Sequence, residues 1–414
     1  MAIYDIAVIG GGPAGCMAAI TAARLKKKVI LIEKNDSICK KILITGKGRC
    51  NISNAAPVES FVEKFGHQGK FLRTAFYNFP SEELVEFFRS EGLELKTERQ
   101  GRIFPVTDKA LSVVTALKNC LKNSGVEIIS KARVSVINRG VNCLVVKISG
   151  GQTFCSKKII LCVGGSSFKA TGSTGDGFEM AARLGHTIVP LKPALVPLKI
   201  EEKCVQYVQG LALKNVKITV GTGKNALVSP IGELMFTHFG ISGPLVLDLS
   251  GEIISMLGDS ESIPLSIDFK PGLNKEQIER RLLKEIKEKC NMDIGNLLKG
   301  FLPQRLVPVF LQAAGVAAGK KANQLTSDER AAIINFLKSF PLTVTDSLPI
   351  EEGMVTNGGV STAEINPRTL ESKILPGLFF AGEVIDGFAP SGGYNLQQAF
   401  STGRLAGESA AEDI

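Results

Sequence analysis

Residues 4–33 read YDIAVIGGGPAGCMAAITAARLKKKVILIE. An apolar run at 4–9 stops at three glycines, an alanine-rich stretch runs from Pro13 to about Leu25, and a second apolar run at 29–32 ends in Glu33. Strand, tight turn, helix and strand in that order make one βαβ unit of a parallel sheet. Gly10, Gly12 and Gly15 stand in the spacing GxGxxG. The first permits the turn, the second lets the backbone approach a pyrophosphate, and the third lets the helix pack closely on the strand. The helix N-terminus at Pro13 offers unpaired N–H groups and a partial positive charge to phosphates. Glu33 can accept both hydroxyls of a ribose, and its charge disfavours a 2′-phosphate there. The segment predicts a dinucleotide site, with a purely structural glycine turn as the alternative.

The full length of 414 residues leaves room for two or three compact units. Hydrophobic residues at 44% and charged residues at 21% exclude long disorder, a collagen repeat or a coiled coil. The net charge of +9 is scattered over short lysine groups such as 26–28, 157–158 and 320–321, without interleaved aromatic residues. No nucleic-acid partner is expected from that pattern. Nine cysteines, an odd number with no CxxC and no Cys/His ligand spacing, point to a reduced compartment and no metal. The start lacks a signal-peptide pattern, and no apolar run of about 18 residues could span a bilayer. The expected location is cytoplasmic, with no membrane partner.

Beyond Glu33 come a polar loop at 38–54 (ICKKILITGKGRCNISN), a helix from Ser81 that Gly92 can close, and a helix from Lys109 to about Lys122. Alternating strands near 126–148 and a buried strand at 159–163 ending in Gly164-Gly165 follow. From 187 to 270 short β-like runs (VPLKI, VKITVGTG, LVSPIGELMF, LVLDLS, IPLSIDF) suggest a small barrel or sandwich. From 274 to 340 the pattern is helical, with Ile278, Leu282 and Ile286 on one face and Thr326 and Glu329 in capping-box spacing. Strands and glycines return after Pro349, ending in a helix from about Tyr394 to Ala410.

The strand end LFFAGE, 378–383, places Gly382 and Glu383 where flavin enzymes of the glutathione-reductase type present a carboxylate to the ribityl chain. In PSGGYNLQQAFSTGRLAG, 390–407, glycines precede a helix whose positive end could face flavin N1 and the C2 carbonyl. An ordinary glycine-started C-terminal helix is the alternative.

The sequence resembles the HI0933-like (BaiN-like) family of FAD-dependent oxidoreductases over nearly its whole length. The resemblance rests on GGGPAG (10–15), TGKGRCNISN (45–54), GRIFPVTDKA (101–110), the stretch 162–186, FTHFGISGP (236–244), VTNGGVSTAEI (355–365) and the stretch 376–403. It implies an α/β fold: a Rossmann-type FAD-binding domain, parallel sheet plus β-meander, interrupted by an insert of a small β-barrel and helices. The expected boundaries are 1–190 and 351–414 for the FAD domain and 191–350 for the insert, with barrel 191–270 and helices 271–345. FAD contacts are implied at Ala14, Glu33, the GRCN loop, the backbone near Val134, Gly164, Glu383 and the GGYN turn. With neighbours, the expected cofactor set is Gly10, Gly12, Pro13, Ala14, Gly15, Glu33, Lys34, Lys41, Gly48, Arg49, Cys50, Asn51, Val134, Gly164, Gly165, Gly382, Glu383, Gly393, Tyr394, Asn395 and Leu396.

In the GKGRCN loop, Arg49 can offer charge-assisted hydrogen bonds to pyrophosphate or substrate, and Asn51 can bond flavin edges. Cys50 reads either as a redox thiol or as a packed neutral one, its nearest partner being Cys39. His238 is a candidate acid or substrate-orienting group, against a histidine satisfied at a strand end. Tyr394 is a candidate donor beside the flavin ring, or a supporting aromatic. Asp176 reads as a helix cap. No second GxGxxG unit exists, so NADH or NADPH is expected to dock only transiently. The expected function is hydride transfer between flavin N5 and a small organic substrate. The rivals are a flavoprotein acting on tRNA or another nucleic acid, which needs a contiguous basic face around the flavin, and a non-catalytic FAD-binding redox sensor.

Overall fold

The computed structural model describes residues 3–223, 226–258 and 260–412. The chain divides into two compact units, Met1–Ala194 with Ile350–Ile414, and Leu195–Pro349.

In the first unit, strand Ile3–Ile9 pairs in parallel with Val29–Ile32 on one side and Thr153–Leu161 on the other, and Glu127–Ile129 extends the sheet beyond Val29–Ile32. All four residues of VILI are buried, the continuous apolar run of a strand covered on both faces. Strand Thr153–Leu161 shares its outer edge between two partners. Its first half takes Leu144–Ile148 antiparallel, which pairs in turn with Val134–Arg139, and its second half takes Leu378–Phe380 in parallel. This is a Rossmann-type sheet with a β-meander, and its last strand returns from the far side of the inserted residues.

Helix Pro13–Arg24 buries ten of its twelve residues, because the final helix, Tyr394–Ala411, lies across it. Small side chains make the crossing possible. A Cβ on Gly403 would fall 2.3 Å from the Ala14 carbonyl oxygen, and one on Gly407 would fall 2.6 Å from that of Ala18. The first half of helix Pro13–Arg24 is thereby set against the second half of the final helix. Residues 58–78, given no element by the sequence pattern, form helices Val58–Lys64 and Gly69–Asn78, and Phe61, Phe65, Leu72 and Phe76 of this stretch cluster with Ala389 and Tyr394. Helix Ser81–Ser90 closes at Gly92 in the left-handed conformation, as expected.

The second unit contains a closed antiparallel barrel. Around the ring, Ala212–Val220 neighbours Gly232–Phe236, then Gly240–Ser242, Leu198–Ile200, Phe340–Ser347 and Ile263–Asp268, which pairs back to Ala212–Val220. Closure leaves the six strands without a free edge. Two local expectations fail. The stretch 271–345 is not helical to its end, since FPLTVTDS alternates between buried and exposed positions and closes the barrel from beyond the helices. LVLDLS is not a strand but part of helix Pro244–Leu257, started by Gly243 at φ 96° and by Pro244, with Leu245, Val246, Ser250 and Ile253 buried. Helices Lys275–Glu288 and Ser327–Lys338 both begin in capping boxes, Asn274 with Gln277 and Thr326 with Glu329.

Candidate functional site

The three motif glycines meet three different surroundings. A Cβ on Gly10 would fall 2.5 Å from the Cys162 carbonyl oxygen, and one on Gly15 would fall 1.9 Å from that of Gly10. A Cβ on Gly12 would meet nothing within 4 Å. The outer two glycines pack the helix onto the sheet, and the middle one opens onto free space at the start of helix Pro13–Arg24. No side chain caps that helix, so its first N–H groups are available to an anion. Glu33 is buried, its Oε2 accepting from Gly11 N–H at 2.6 Å and its Oε1 from Asn35 N–H at 2.7 Å. Carboxylate, open glycine and uncapped helix fit the ribose and pyrophosphate of a dinucleotide.

The residues expected at the flavin end come from segments far apart in sequence. Gly382 has φ 77°, and its amide is clamped by the last helix: its N–H donates to Thr402 Oγ1 at 2.9 Å and its carbonyl accepts from Gln398 Nε2 at 3.2 Å. A Cβ on Gly382 would fall 2.8 Å from Ala14 Cβ, so this turn sits against the first turn of the dinucleotide helix. Glu383 then reaches Lys41 Nζ at 2.9 Å, Ser167 Oγ at 3.2 Å and Thr356 N–H at 2.9 Å. Gly164 has φ 74°, and a Cβ on Gly165 would fall 2.7 Å from Glu383 Oε1. The helix Tyr394–Ala411 starts from Gly393 at φ 101°, again without a side-chain cap. Thus Ala14 lies against Gly382, and Lys41 and Gly165 lie against Glu383, while the final helix joins them through Gln398 and Thr402. Gln398 and Thr402 were not foreseen, although polar residues four apart on an otherwise buried helix are a readable sign of a clamp.

Other expected contacts are placed as follows. Lys34 pairs with Asp176 at 3.0 Å, and Arg133 pairs with the same carboxylate. Asp176 is the first residue of helix Asp176–Arg183, which Gly175 precedes, and makes no capping bond, so the cap reading is corrected. Burial opposes its charge, but hydrogen bonds from Lys34, Thr174 and Arg133 outweigh burial and hold the carboxyl below its usual range. Val134 begins a meander strand, two residues after Ala132 N–H donates to the Glu33 carbonyl. Asn395 clasps both the N–H and the carbonyl of Ala389, and Leu396 packs partly into the main core.

The GKGRCN loop turns through left-handed residues at Gly46, Lys47, Gly48 and Cys50. Arg49 is committed to Glu98 and Asp108, with its guanidinium 4.1 Å from the Phe104 ring centroid. Asn51 Oδ1 accepts from Ile103 N–H at 3.1 Å. Both side chains therefore brace the loop against the small sheet of Ser53–Asn54, Arg102–Pro105 and Leu95–Thr97.

Cys50 is fully buried, and burial pushes its thiol up to about 12, which is the environment of a packed neutral thiol. Cys16 and Cys39, also buried, hold their sulfurs 3.6 Å apart over the Gly11 carbonyl. Tyr394 is buried with its ring edge-on to Phe61 at 5.0 Å. His238 belongs to the second unit, exposed between Gly232–Phe236 and Gly240–Ser242 at a turn closed by Thr237, with its ring 4.9 Å from Phe239. Asp386, unforeseen, is a buried carboxylate bonded to Gln68. Burial raises it, opposed by His67, Gln68 and the Gly358 N–H. Among the described residues no group of three or more His, Cys, Asp or Glu is arranged to hold a metal, and no helix is long and apolar enough to cross a membrane.

The profile of the HI0933-like protein Rossmann domain matches residues 4–409. The chain belongs to the HI0933-like family. It is 34% identical over 409 residues to the 3-dehydro-bile acid delta(4,6)-reductase of Clostridium scindens, covering 98% of this chain and 99% of that protein. It is 28% identical over 407 residues to the ribosomal RNA dihydrouridine synthase of Escherichia coli, covering 96% of each. In shape it matches the 3-ketosteroid delta1-dehydrogenase of Sterolibacterium denitrificans, with a TM-score of 0.55 at 13% identity over the full length of both chains, a likeness of fold. As a member of the HI0933-like family the chain is an FAD-dependent oxidoreductase.

Proposed function

We propose that this protein reduces a carbon–carbon double bond conjugated to a carbonyl in a small organic molecule, drawing electrons from transiently bound NADH or NADPH. One observation carries the reading: the two curated relatives act on unlike molecules, yet both names describe adding two hydrogens across such a bond. The substrate gains a hydride at the carbon β to its carbonyl and a proton at the α carbon. FAD, when bound, supplies hydride transfer at N5.

The chain's own residues bind and orient. Gly12 and the helix start at Pro13 hold the pyrophosphate, Glu33 the ribose, and Glu383 with Lys41 the ribityl chain. The start of helix Tyr394–Ala411 stabilises negative charge near N1 and the C2 carbonyl. For the proton, Tyr394 is the candidate in the first unit and His238 in the second, while Cys50 is too weakly acidic to serve. The single GxGxxG unit supports a transiently docked nicotinamide nucleotide.

Anaerobic titration of the purified holoprotein with NADH and NADPH, followed by a 3-oxo-4-ene steroid, tests this. Bleaching of the flavin by one nucleotide and recovery on adding the enone are expected; no bleaching by either defeats the donor assignment. A second reading, a uracil ring in RNA as the acceptor, is favoured by the dihydrouridine synthase relative. Recovery with uridine-containing RNA but not with the enone would select it.

A further inference from the structure

The small sheet beside the GKGRCN loop carries an arginine without a carboxylate partner opposite Asn54, the residue that bonds the turn before the final helix. Asn54 lies directly opposite Arg102 in antiparallel pairing, and directly opposed residues project their side chains from the same face. From that face the Asn54 amide donates to the Gly392 carbonyl at 3.0 Å and to the Gln100 carbonyl at 3.0 Å. Arg102 therefore emerges on the side of the sheet turned toward Gly392 and Gly393, the glycines that precede the uncapped helix.

The turn carrying it is held tightly. A Cβ on Gly101 would fall 2.5 Å from Asn54 Oδ1, and Ala55 N–H donates to the Gly101 carbonyl at 2.7 Å. Gln100 is left-handed at φ 62°, a conformation that persists only where its surroundings impose it. The nearby carboxylates are already engaged, since Glu98 and Asp108 both pair with Arg49 and with Lys96. Arg99 and Arg102 are exposed and have no carboxylate partner among the described residues; Arg102 donates to the neutral Gln100 Oε1 at 2.8 Å. A guanidinium in this state keeps its planar fork of donors for an incoming oxyanion.

We propose that Arg102, with Arg99 beside it, determines specificity by binding an oxyanion carried by the electron-accepting substrate, either a carboxylate on a small molecule or a phosphodiester of RNA. The inference rests on the reading of the final helix start as the flavin end of the site. Neither arginine takes part in the transfer of hydride or proton. Their effect falls on substrate binding and orientation.

The test uses the FAD-loaded protein with Arg102→Gln, Arg99→Gln/Arg102→Gln and Arg102→Lys. Three probes are compared: a 3-oxo-4-ene steroid with a carboxylate side chain, its neutral methyl ester, and a uridine-containing RNA oligonucleotide. Dissociation constants come from perturbation of the oxidised flavin spectrum at two salt concentrations, and KM and kcat from turnover. Arg102→Gln should weaken the anionic probe about ten- to a hundredfold, the worth of one charged hydrogen-bonded contact. KM should rise with kcat nearly constant, the ester should be unaffected, and lysine should restore part of the loss. If RNA is the source, the steroid acid is indifferent and the salt slope of RNA binding falls by about one per charge removed. Equal binding of the anionic probes by wild type and Arg102→Gln overturns the inference, as does an equal loss for acid and ester, or a wild type that binds neither anion. Failure to take up FAD overturns the underlying reading as well, and a direct FAD titration separates that case.

Discussion

The Glu33 carboxylate accepts the Gly11 N–H at 2.6 Å, so the acid at the end of the second strand also holds the glycine turn in place. Removing it should act twice, by loss of a ribose acceptor and by release of the turn. Glu33→Ala is expected to weaken FAD binding about ten- to a hundredfold, in line with the worth of charge-assisted hydrogen bonds. Titration of the apoprotein with FAD, followed by fluorescence, measures this. Full affinity in the variant would move the ribose elsewhere.

Gly12 and Gly15 should respond in opposite ways to the same methyl group. Gly12 has φ −76°, which alanine adopts freely, and open space around it. Gly12→Ala should leave the apoprotein's stability nearly unchanged and reduce FAD affinity, because the methyl enters the space a pyrophosphate needs. Gly15→Ala places its methyl against the Gly10 carbonyl and should cost roughly 1–3 kcal/mol or more, as overpacking does. Urea denaturation of the two apoproteins is the comparison. Similar losses would mean that the turn opens differently.

These two glycines also mark how far the sequence could be read. Gly10 and Gly15 are legible because each answers to backbone within a few residues or beside the adjacent strand, Gly12 because it belongs to the same short turn, and Thr326 with Glu329 because a capping box is local. The Gln398 clamp on Gly382 and the Asn54 bond to Gly392 join segments whose mutual register is set only by tertiary packing. Arg49 illustrates the same limit: a cation in a glycine-rich loop suggests an anionic ligand, and only the fold brings Glu98 and Asp108 to it. The strand Phe340–Ser347 was hidden for another reason, since barrel closure reaches past four α-helices to find its last member.

Thiol reactivity should follow burial. Cys290 is exposed, whereas Cys50 and Cys162 are buried and burial raises both thiols, that of Cys50 to about 12. At pH 8 only about one part in ten thousand of Cys50 would be thiolate, the form that reacts. A short pulse of iodoacetamide read by peptide mass spectrometry should label Cys290 and spare Cys50 until the protein is unfolded. Labelling of both at comparable rates would reopen the redox role for Cys50.

His186 should make stability depend on pH near neutrality. Its Nε2 lies 2.8 Å from Ser372 Oγ, and that oxygen already accepts the N–H groups of Ile374 and Leu375 at 3.0 and 2.8 Å. With both lone pairs engaged, the Ser372 hydroxyl donates to Nε2, which must be unprotonated. Burial lowers the histidine's pKa below 6.5, and the nearby Glu364 carboxylate, 3.3 Å from Nδ1, only partly opposes this. The unfolded chain then binds more protons than the folded one between the two pKa values. Stability at this group is complete above about 6.5 and falls as pH drops through the interval down to the folded value. Unfolding by urea at pH 7.5 and 5.5 should show a smaller loss on acidification in His186→Gln than in the wild type, although the variant is the less stable of the two at pH 7.5. Equal losses would mean that His186 takes up its proton as readily in the folded protein as in the unfolded chain, and that the Ser372 hydroxyl does not hold Nε2 unprotonated.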